Sequence, residues 1–376
     1  MFIKRHLWAV GYGFVLTAFT LYITLDTFVL RSPYQENATQ MNTSMFENIS
    51  IATGGSIRGN ATGSSVSEET ASDRDVTDDY DELDRREDSS SHGPGRSSGR
   101  GRGEHSRSKG GWGAWDDFDE GEELPADDRS QQNGTSSEID TYQDDNVTIK
   151  LTEYYENDTR IYVADVTVTS AQYIKTAFAD DIYGKNVTAH TSEIAKAHNA
   201  ILAINGDFYG AQERGYVIRN GVLYRESAND RDVMCMYADG SIEVYRSNEY
   251  TAQELVEKGV WQAFNFGPGL VSDGKISVSE NQEVDREMSS NPRTAIGTID
   301  NNHYVFLVAD GRSSVSDGLS LFQLAEFMKN LGVDTAYNLD GGGSSTMYYN
   351  GEVVNHPTTN GRSIRERGVS DIVYVG

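Results

Sequence analysis

The sequence predicts an α+β fold in which one dominant sheet, mixed or antiparallel, and a few helices form a single domain over residues 140–376. Three observations lead to this prediction. Strand-like apolar segments recur in this part of the chain and are separated by Asn-Gly and Asp-Gly turn pairs. One longer segment, Leu319–Leu331, has the apolar spacing of an amphipathic helix. The residues before position 140 are either continuously apolar or too polar to form a core.

The first thirty residues predict a membrane anchor. Lys4 and Arg5 precede an apolar stretch, residues 7–30, whose only charge is Asp26 near its end. Such a stretch is long enough to cross a bilayer as a helix, and the basic residues before it place residues 1–6 in the cytoplasm. A cleaved signal peptide is the alternative, but bulky residues stand where small ones would mark a cleavage site. We therefore expect a single-pass protein of the cell membrane with an extracellular domain.

Residues 31–139 predict a disordered polar linker. The segment is rich in Gly and Ser and contains an acidic run at Asp78–Asp84. Few of its residues could be buried, so apolar burial would not offset the conformational entropy that the segment would lose on folding.

Charge and cysteine content exclude several classes of partner and site. The formal net charge of −26 disfavours nucleic acid, because nucleic acid is itself a polyanion. A single cysteine, Cys235, excludes an intrachain disulfide and a cysteine-rich zinc site.

Within residues 140–376 the strand signals mostly come in pairs joined by short turns. Val147–Leu151 and Arg160–Val168 alternate apolar and polar residues, as half-buried strands do. The other expected strand segments are Ala200–Ile204, Tyr216–Tyr224 folded at an Asn-Gly pair, Asp232–Tyr237 with Ser241–Tyr245, Arg293–Ile299 with His303–Ala309, Thr335–Leu339, Ser345–Tyr349 with Glu352–Val354, and Ser370–Val375. Short helices are expected at Thr191–His198 and Thr251–Glu257, and Gly332 should close the longer helix.

Three consecutive glycines occur in the run Asn338-Leu-Asp-Gly-Gly-Gly-Ser-Ser-Thr-Met347. Glycine loses the most backbone entropy on ordering, so a folded domain that keeps three of them needs bare backbone there. The glycines stand between Asp340 and the hydroxyls of Ser344, Ser345 and Thr346, a combination that could bind a phosphate or sugar hydroxyls. A flexible Gly-Ser turn is the alternative, but apolar segments flank the run on both sides.

Three acids, Asp207, Asp310 and Asp340, directly follow apolar strand segments. They could be the carboxylates of a glycosidase, the oxygen ligands of a hard cation, or caps of their own turns. Arg293 begins a strand after Asn291-Pro292, and Arg312 follows Asp310-Gly311. Either arginine suits a phosphate, because the guanidinium fork makes two charged hydrogen bonds. A serine hydrolase is disfavoured because residues 140–376 contain no Gly-x-Ser-x-Gly elbow; the match at Gly95–Gly99 lies in the polar linker.

These motifs occur in an order that resembles the phosphodiester glycosidase family. The segments that carry the resemblance are Asn205-Gly-Asp-Phe-Tyr209, Pro292-Arg-Thr-Ala-Ile-Gly297, Ala309-Asp-Gly-Arg312, Leu319–Leu331 and Asn338-Leu-Asp-Gly-Gly-Gly-Ser-Ser345. The resemblance implies hydrolysis of a sugar-1-phosphodiester, such as an N-acetylglucosamine-1-phosphodiester, which releases the sugar and leaves a phosphomonoester. It also implies a glycan substrate at the cell surface, since bacterial relatives are associated with exopolysaccharide or other surface polymers.

On that basis we expect Asp340 to be an essential carboxylate and Asp207 or Asp310 to be its catalytic partner. The expected substrate-binding residues are Asn205, Arg293, Arg312, Asn338, Gly341, Gly342, Gly343, Ser344 and Ser345. No cofactor is required, although calcium or magnesium would suit the acids if they act as ligands. Two other functions stay open: a non-catalytic module that binds cell-wall polymer or exopolysaccharide, and a cation-dependent phosphodiesterase that cleaves the P–O bond.

Overall fold

A computed structural model describes residues 133–282 and 290–376, together with Tyr12, residues 15–22 and the backbone of residues 32–33, 39–40 and 122–123. All of these fall in one of two compact units, which comprises residues 1–54 and 117–376; the other unit, residues 55–116, lies outside the described residues. Most of the expected membrane helix (7–30) and of the expected linker (31–139) also lies outside them. Within the described part, no helix combines the length and the apolar character needed to cross a membrane.

The largest sheet has eight strands, and each is antiparallel to its neighbours. In spatial order they are Lys275–Ile276, Gly269–Ser272, Thr335–Asn338, Arg293–Asp300, His303–Ala309, Thr159–Val168, Val147–Glu156 and Thr135–Gln143. Side chains alternate along a strand, so His303–Ala309 sends Tyr304, Phe306 and Val308 to one apolar cluster, while the residues between them enter another. Its central strands are therefore buried on both faces, which explains their continuous apolar sequence.

The helix Leu321–Asn330 covers one face of this sheet. Ser320 is its N-cap. The Ser320 hydroxyl accepts a hydrogen bond from the backbone amide of Gln323, and the side-chain oxygen of Gln323 accepts one from the backbone amide of Ser320. Gly332 follows with φ +86°, a conformation that glycine adopts without strain. The buried side chains of the helix, which include Leu324 and Met328, are part of the apolar cluster on that face of the sheet. Each such side chain contributes about 1.5–3 kcal/mol to folding by leaving water.

Two further antiparallel sheets pack on the opposite face. The five-stranded sheet contains, in spatial order, Glu352–Val353, Met347–Tyr349, Leu202–Asn205, Asp371–Val375 and Ile174–Phe178. The six-stranded sheet contains Ile242–Arg246, Asp232–Tyr237, Val260–Phe264, Val217–Arg219, Val222–Arg225 and Thr39–Gln40. Residues of all three sheets share one apolar cluster, in which Ile204, Phe264 and Phe306 are fully buried.

The remaining pieces are short. Helices Thr191–Ala197 and Ala252–Glu257 and the 3-10 turns Ala171–Tyr173, Ala179–Asp181, Tyr209–Ala211 and Gly342–Ser344 connect the strands. Two further strand pairs join Ser32–Pro33 to Gly184–Lys185 and Glu122–Glu123 to Ser363–Ile364.

The structure confirms a sheet-dominated domain with few helices but corrects the expectation of one dominant sheet. The six-stranded sheet has a cluster of its own, in which Val233 and Cys235 pack against Leu255 of the helix Ala252–Glu257. This cluster is distinct from the one that the three sheets share. The edge strand of the eight-stranded sheet, Thr135–Gln143, begins five residues before position 140.

Candidate functional site

Two strand ends meet where the five-stranded and eight-stranded sheets adjoin. Leu202–Asn205 leads into Gly206, and Thr335–Asn338 leads into Asp340. The amide of Asp340 donates to the carbonyl of Gly206 over 3.2 Å, and Nδ2 of Asn205 donates to the carbonyl of Asp340 over 2.7 Å. The sequence signals around positions 205 and 340, separated by more than a hundred residues, are thus brought into direct contact.

Asp340 faces an arginine that the sequence did not single out. Nη2 of Arg367 lies 3.1 Å from Oδ2 of Asp340. The same guanidinium donates to Oγ of Ser344, from Nε over 2.9 Å and from Nη2 over 2.6 Å. The side chain of Asp340 is 11% exposed, whereas that of Arg367 is 40% exposed. An exposed cation therefore lies over a nearly buried carboxylate.

The pKa of Asp340 is raised above its ordinary value. Burial is the largest cause, because it disfavours the charged form, and the charge of Asp207 acts in the same direction. Arg367 and the hydroxyl of Ser344 oppose the shift. A carboxyl group with a raised pKa beside a cation is a common feature of functional sites.

The three glycines form a tightly packed turn. A Cβ on Gly341 would lie 2.9 Å from the carbonyl oxygen of Pro292, and a Cβ on Gly343 would lie 2.3 Å from Oγ1 of Thr359. Gly342 has φ +60°, and its Cβ would lie 3.0 Å from Nη2 of Arg312. The amide of Gly342 donates to the Pro292 carbonyl over 2.8 Å. Close packing, as well as backbone conformation, thus requires glycine here, and the Gly342 amide is already engaged.

The two expected phosphate-binding arginines differ in their surroundings. Arg312 is partly exposed and lies beside the turn; its Nε and Nη2 donate to Oδ1 of Asn291, and its Nη1 donates to the Thr359 carbonyl over 3.0 Å. Arg293 is 4% exposed, and its Nε donates to the Leu319 carbonyl over 2.9 Å. Arg312 is therefore the more accessible of the two.

Asp207 belongs to a buried ionic triad. Its Oδ1 lies 2.9 Å from Nη2 of Arg219, and its Oδ2 accepts from the amide of Asn265 over 2.8 Å. Nε of Arg219 donates to Oδ2 of Asp371 over 2.8 Å, and the guanidinium stacks 4.0 Å from the ring centroid of Phe264. Burial, to which the charge of Asp207 adds, raises the pKa of Asp371 to about 6 against the opposing effect of Arg219. Since the three charged side chains are at most 1% exposed, the triad lies inside the fold.

Asp310 anchors the loop after the last hairpin. Its Oδ1 accepts from Nδ2 of Asn355 over 2.9 Å and from the amide of His356 over 3.0 Å, and its Oδ2 lies 3.0 Å from Nδ1 of His356. Asn355 also donates to the carbonyl of Ser345 over 3.0 Å, which connects this loop to the glycine turn. Asp310 is 3% exposed, so it too acts from within the protein.

The remaining expected residues lie just below the surface of the site. Asn205, Asn338, Ser344 and Ser345 are at most 1% exposed. Nδ2 of Asn338 donates to the Gly267 carbonyl over 2.8 Å. The Ser345 hydroxyl is buried without a hydrogen-bond partner among the described residues.

Sequence reasoning missed Arg367, Arg219 and Asp371. Arg367 precedes the final strand by four positions and shares no spacing with the other motifs, so no local signal indicated its role. Asp371 is the first residue of a strand, where the sequence alone predicts an exposed side chain; its role becomes visible only when the partners of that strand are known.

Other features of the described residues do not compete with this site. No group of three or more His, Cys, Asp or Glu side chains in this part of the chain is arranged to hold a metal ion. A groove of about 390 Å³ lies on the eight-stranded sheet, and its lining includes the ion-paired Glu138 and Lys150 but none of the expected site residues.

Comparison with known proteins adds independent evidence. Residues 198–376, which contain all five sequence motifs, match the profile of the family described as phosphodiester glycosidase. The chain is 33% identical over 173 residues to N-acetylglucosamine-1-phosphodiester alpha-N-acetylglucosaminidase of Mus musculus, covering 42% of this chain and 33% of that protein. It is 28% identical over 193 residues to the protein of the same name from Homo sapiens, covering 45% and 36%.

A bacterial relative and a solved structure are also similar. The chain is 30% identical over 169 residues to the SPbeta prophage-derived uncharacterized protein YomE of Bacillus subtilis (strain 168), covering 43% of this chain and 26% of that protein. One solved structure is that of the catalytic domain of zebrafish N-acetylglucosamine-1-phosphodiester alpha-N-acetylglucosaminidase, auto-inhibited by its pro-peptide. The alignment covers 64% of this chain and 87% of the zebrafish chain, with 19% sequence identity and a TM-score of 0.49. The matched regions span between 26% and 36% of these curated relatives. The match to the phosphodiester glycosidase family is thus carried by residues 198–376, just under half of the chain.

Proposed function

We propose that this domain hydrolyses a sugar-1-phosphodiester, releasing the free sugar and leaving a phosphomonoester. The observation that carries the proposal is the contact between the nearly buried carboxylate of Asp340 and the exposed guanidinium of Arg367. The match to the family and the N-acetylglucosamine-1-phosphodiester in the names of the mammalian relatives support this substrate class.

In this proposal Arg367 and Arg312 hold the phosphodiester. A phosphodiester carries one negative charge, and two guanidinium groups beside one turn can share its oxygens. The side chain of Arg367 is more exposed than that of its ion-pair partner Asp340, and the guanidinium of Arg312 lies against Gly342. Each of these two cationic side chains contacts the glycine turn although the chain as a whole is strongly acidic, which supports an anionic ligand at this point.

Asp340 is the proposed catalytic carboxylate. Among the three expected acids it is the most exposed, at 8% against 1% for Asp207 and 3% for Asp310. It would stabilise positive charge at the anomeric carbon or attack it, while the C1–O bond breaks and its electron pair leaves with the phosphate oxygen. Water then supplies hydroxide to C1 and a proton to the medium or the phosphate.

A second catalytic carboxylate is not needed in this proposal, because a phosphate is already a good leaving group. Asp207 and Asp310 then act as positioning residues: Asp207 through Arg219, and Asp310 through Asn355. Asn205 and Asn338 hold the two strand ends, and Ser344 orients Arg367.

We also propose that the domain acts at the cell surface on a glycan polymer and is held to the membrane by residues 7–30. The support is the apolar stretch and the basic residues before it. Protease added to intact cells should remove the domain, and carbonate washing should leave the chain in the membrane fraction. Protection from protease, or release by carbonate, would contradict this part of the proposal.

The direct test uses the full chain and a methyl phosphodiester of N-acetylglucosamine-1-phosphate in both anomers, in water enriched in heavy oxygen. Glycosidic cleavage leaves the methyl phosphate product without heavy oxygen, as mass spectrometry can show. Heavy oxygen in the phosphate, together with loss of turnover in chelator, would instead identify a phosphodiesterase that cleaves P–O. Binding without turnover would identify a glycan-binding module.

A further inference from the structure

Phe208 has a backbone conformation that is unusual for a bulky side chain. It lies in the left-handed region, with φ 63° and ψ 30°, directly after Asp207. This region places Cβ close to the backbone, so glycine and asparagine occupy it far more readily than phenylalanine. Such residues persist where the surrounding structure holds them, and they concentrate at functional sites.

The surroundings hold this conformation from both sides. Oδ1 of Asp207 accepts from the amide of Tyr209 over 3.2 Å, and the carbonyl of Phe208 accepts from the amide of Ala211 over 3.3 Å. Before it, the amide of Gly206 donates to the carbonyl of Asp371 over 2.9 Å. The turn is therefore fixed by the buried triad and does not depend on the ring.

The ring of Phe208 is not part of the core. It is partly exposed and joins none of the five apolar clusters formed by the described residues. Its neighbour Tyr209 contrasts with it, since that ring packs 5.3 Å from Phe178 and 5.2 Å from Tyr183. A turn that needed only its backbone conformation would be less strained with glycine at position 208. The aromatic ring therefore needs a reason outside the packing of the fold.

Its position supplies that reason. Gly206, two residues before Phe208, accepts a hydrogen bond from the amide of Asp340. The ring is thus attached to the short segment that contacts the backbone of the proposed catalytic residue, Asp340. A pyranose has one face of C–H groups, and binding sites combine such apolar aromatic surface with a few polar groups that fix orientation.

We propose that Phe208 is a specificity-determining residue whose ring contacts the C–H face of the sugar that is released. This inference rests on the proposed function, because it assigns the sugar side of the site and leaves the phosphate to Arg367 and Arg312. It accounts for a strained, partly exposed phenylalanine beside a buried acid.

The test measures binding of free N-acetylglucosamine by ligand-observed NMR, so it does not require turnover. Phe208→Ala removes the ring, Phe208→Gly removes both the ring and the strain, and Phe208→Tyr keeps the ring. We expect the first two to bind the sugar about tenfold more weakly and the third to bind within about threefold of the wild type. The affinity for inorganic phosphate should not change in any of them.

Controls separate a sugar contact from a structural role. Phe208→Gly should have an equal or higher thermal midpoint, because it relieves the left-handed strain. Ile139→Ala removes another exposed apolar side chain, 44% exposed on the edge strand, and should change nothing. Unchanged sugar affinity in Phe208→Gly, a parallel loss of phosphate affinity, or no sugar binding by the wild type would overturn the inference. Sugar binding that depends on Phe208 without release of sugar would leave it standing and refute the proposed hydrolysis.

Discussion

Arg367 reaches across 27 positions of sequence to lie 3.1 Å from the carboxylate of Asp340. The same guanidinium also donates to the hydroxyl of Ser344, which is fully buried at the end of the glycine turn. Arg367 is thus held by two groups of one turn while its side chain stays 40% exposed. A cation held in place yet open to solvent is suited to bind an anionic ligand with little loss of entropy.

Replacing Asp340 by Asn should abolish turnover with little effect on folding. Asparagine keeps the shape but cannot carry the negative charge, so kcat/KM should fall by about a thousandfold or more. Release of free sugar measures the effect, and the unfolding midpoint in urea checks the fold. Asp310→Asn is the matched control: it should lower stability through the loop that it anchors and reduce kcat/KM by less than about tenfold. Full activity in Asp340→Asn would refute the catalytic assignment.

Replacing Arg367 by Gln should both weaken binding and move the pH profile. The arginine lowers the pKa of Asp340 against the effect of burial, so its removal should raise that pKa further. If Asp340 acts as a carboxylate, the acid limb of kcat/KM should move to higher pH in the variant. At neutral pH kcat/KM should fall by about a hundredfold.

Arg367→Lys is the control for this pH shift. Lysine keeps the charge but not the fork, so it should retain most of the wild-type pH profile while still binding substrate more weakly. An acid limb that stays in place in Arg367→Gln would show that Asp340 does not set it.

The ionisation of Asp371 should make stability depend on pH. Its folded-state pKa is raised from 3.8 to about 6, so between these values the folded protein binds more protons than the unfolded chain. Stability should therefore be greatest below about pH 4, fall as the pH rises to about 6, and then level off in this respect. The difference in unfolding free energy between wild type and Asp371→Asn, measured in urea across this range, isolates the contribution. A difference that does not vary with pH would contradict it.

Replacing Arg219 by Met should be among the most destabilising single changes in the domain. It would leave the carboxylates of Asp207 and Asp371 buried without their shared cation, at a cost of about 3–5 kcal/mol. Adding Asp371→Asn should recover part of the loss, because one buried charge is then absent. Urea unfolding of the single and double variants tests the coupling, and purely additive effects would argue against a triad.

Substituting Ala for Gly343 should destabilise the glycine turn through a specific contact. The new Cβ would lie 2.3 Å from Oγ1 of Thr359, and the resulting strain should cost about 1–3 kcal/mol. Thr359→Ala removes that oxygen and should restore part of the stability in the double variant. Gly341→Ala cannot be relieved in this way, since its Cβ would meet the backbone oxygen of Pro292 at 2.9 Å. Equal recovery in both backgrounds would contradict this packing account.

Local sequence patterns predicted most of the elements of residues 140–376. The strands at Arg293–Asp300 and His303–Ala309 and the hairpin at Asn220 lie within a residue or two of the expected positions. Alternation of side chains, Asn-Gly turns and helix caps depend on neighbours in sequence, so they are readable without the fold. Strands such as Ile174–Phe178 and Val260–Phe264 were not among the expected elements.

Long-range pairing could not be read in the same way. Leu202–Asn205 lies between Met347–Tyr349 and Asp371–Val375, partners that are far away in sequence. That pairing puts Asp371 beside Gly206 and makes Asp207 part of a buried triad. The sequence did not distinguish Asp207 from Asp310 as the partner of Asp340; the structure separates the three acids by what each carboxylate contacts.

By itself, the sequence determined the resemblance to the phosphodiester glycosidase family and the sheet-dominated class, because ordered motifs and local periodicity are properties of neighbouring residues. Tertiary structure alone decided that Asp340 faces Arg367, that the glycines are required by close packing, and that Asp207 and Asp310 act from within the fold. The physical reason is that burial, charge pairing and close contact arise between strands whose pairing is set only when the three sheets pack around a common core.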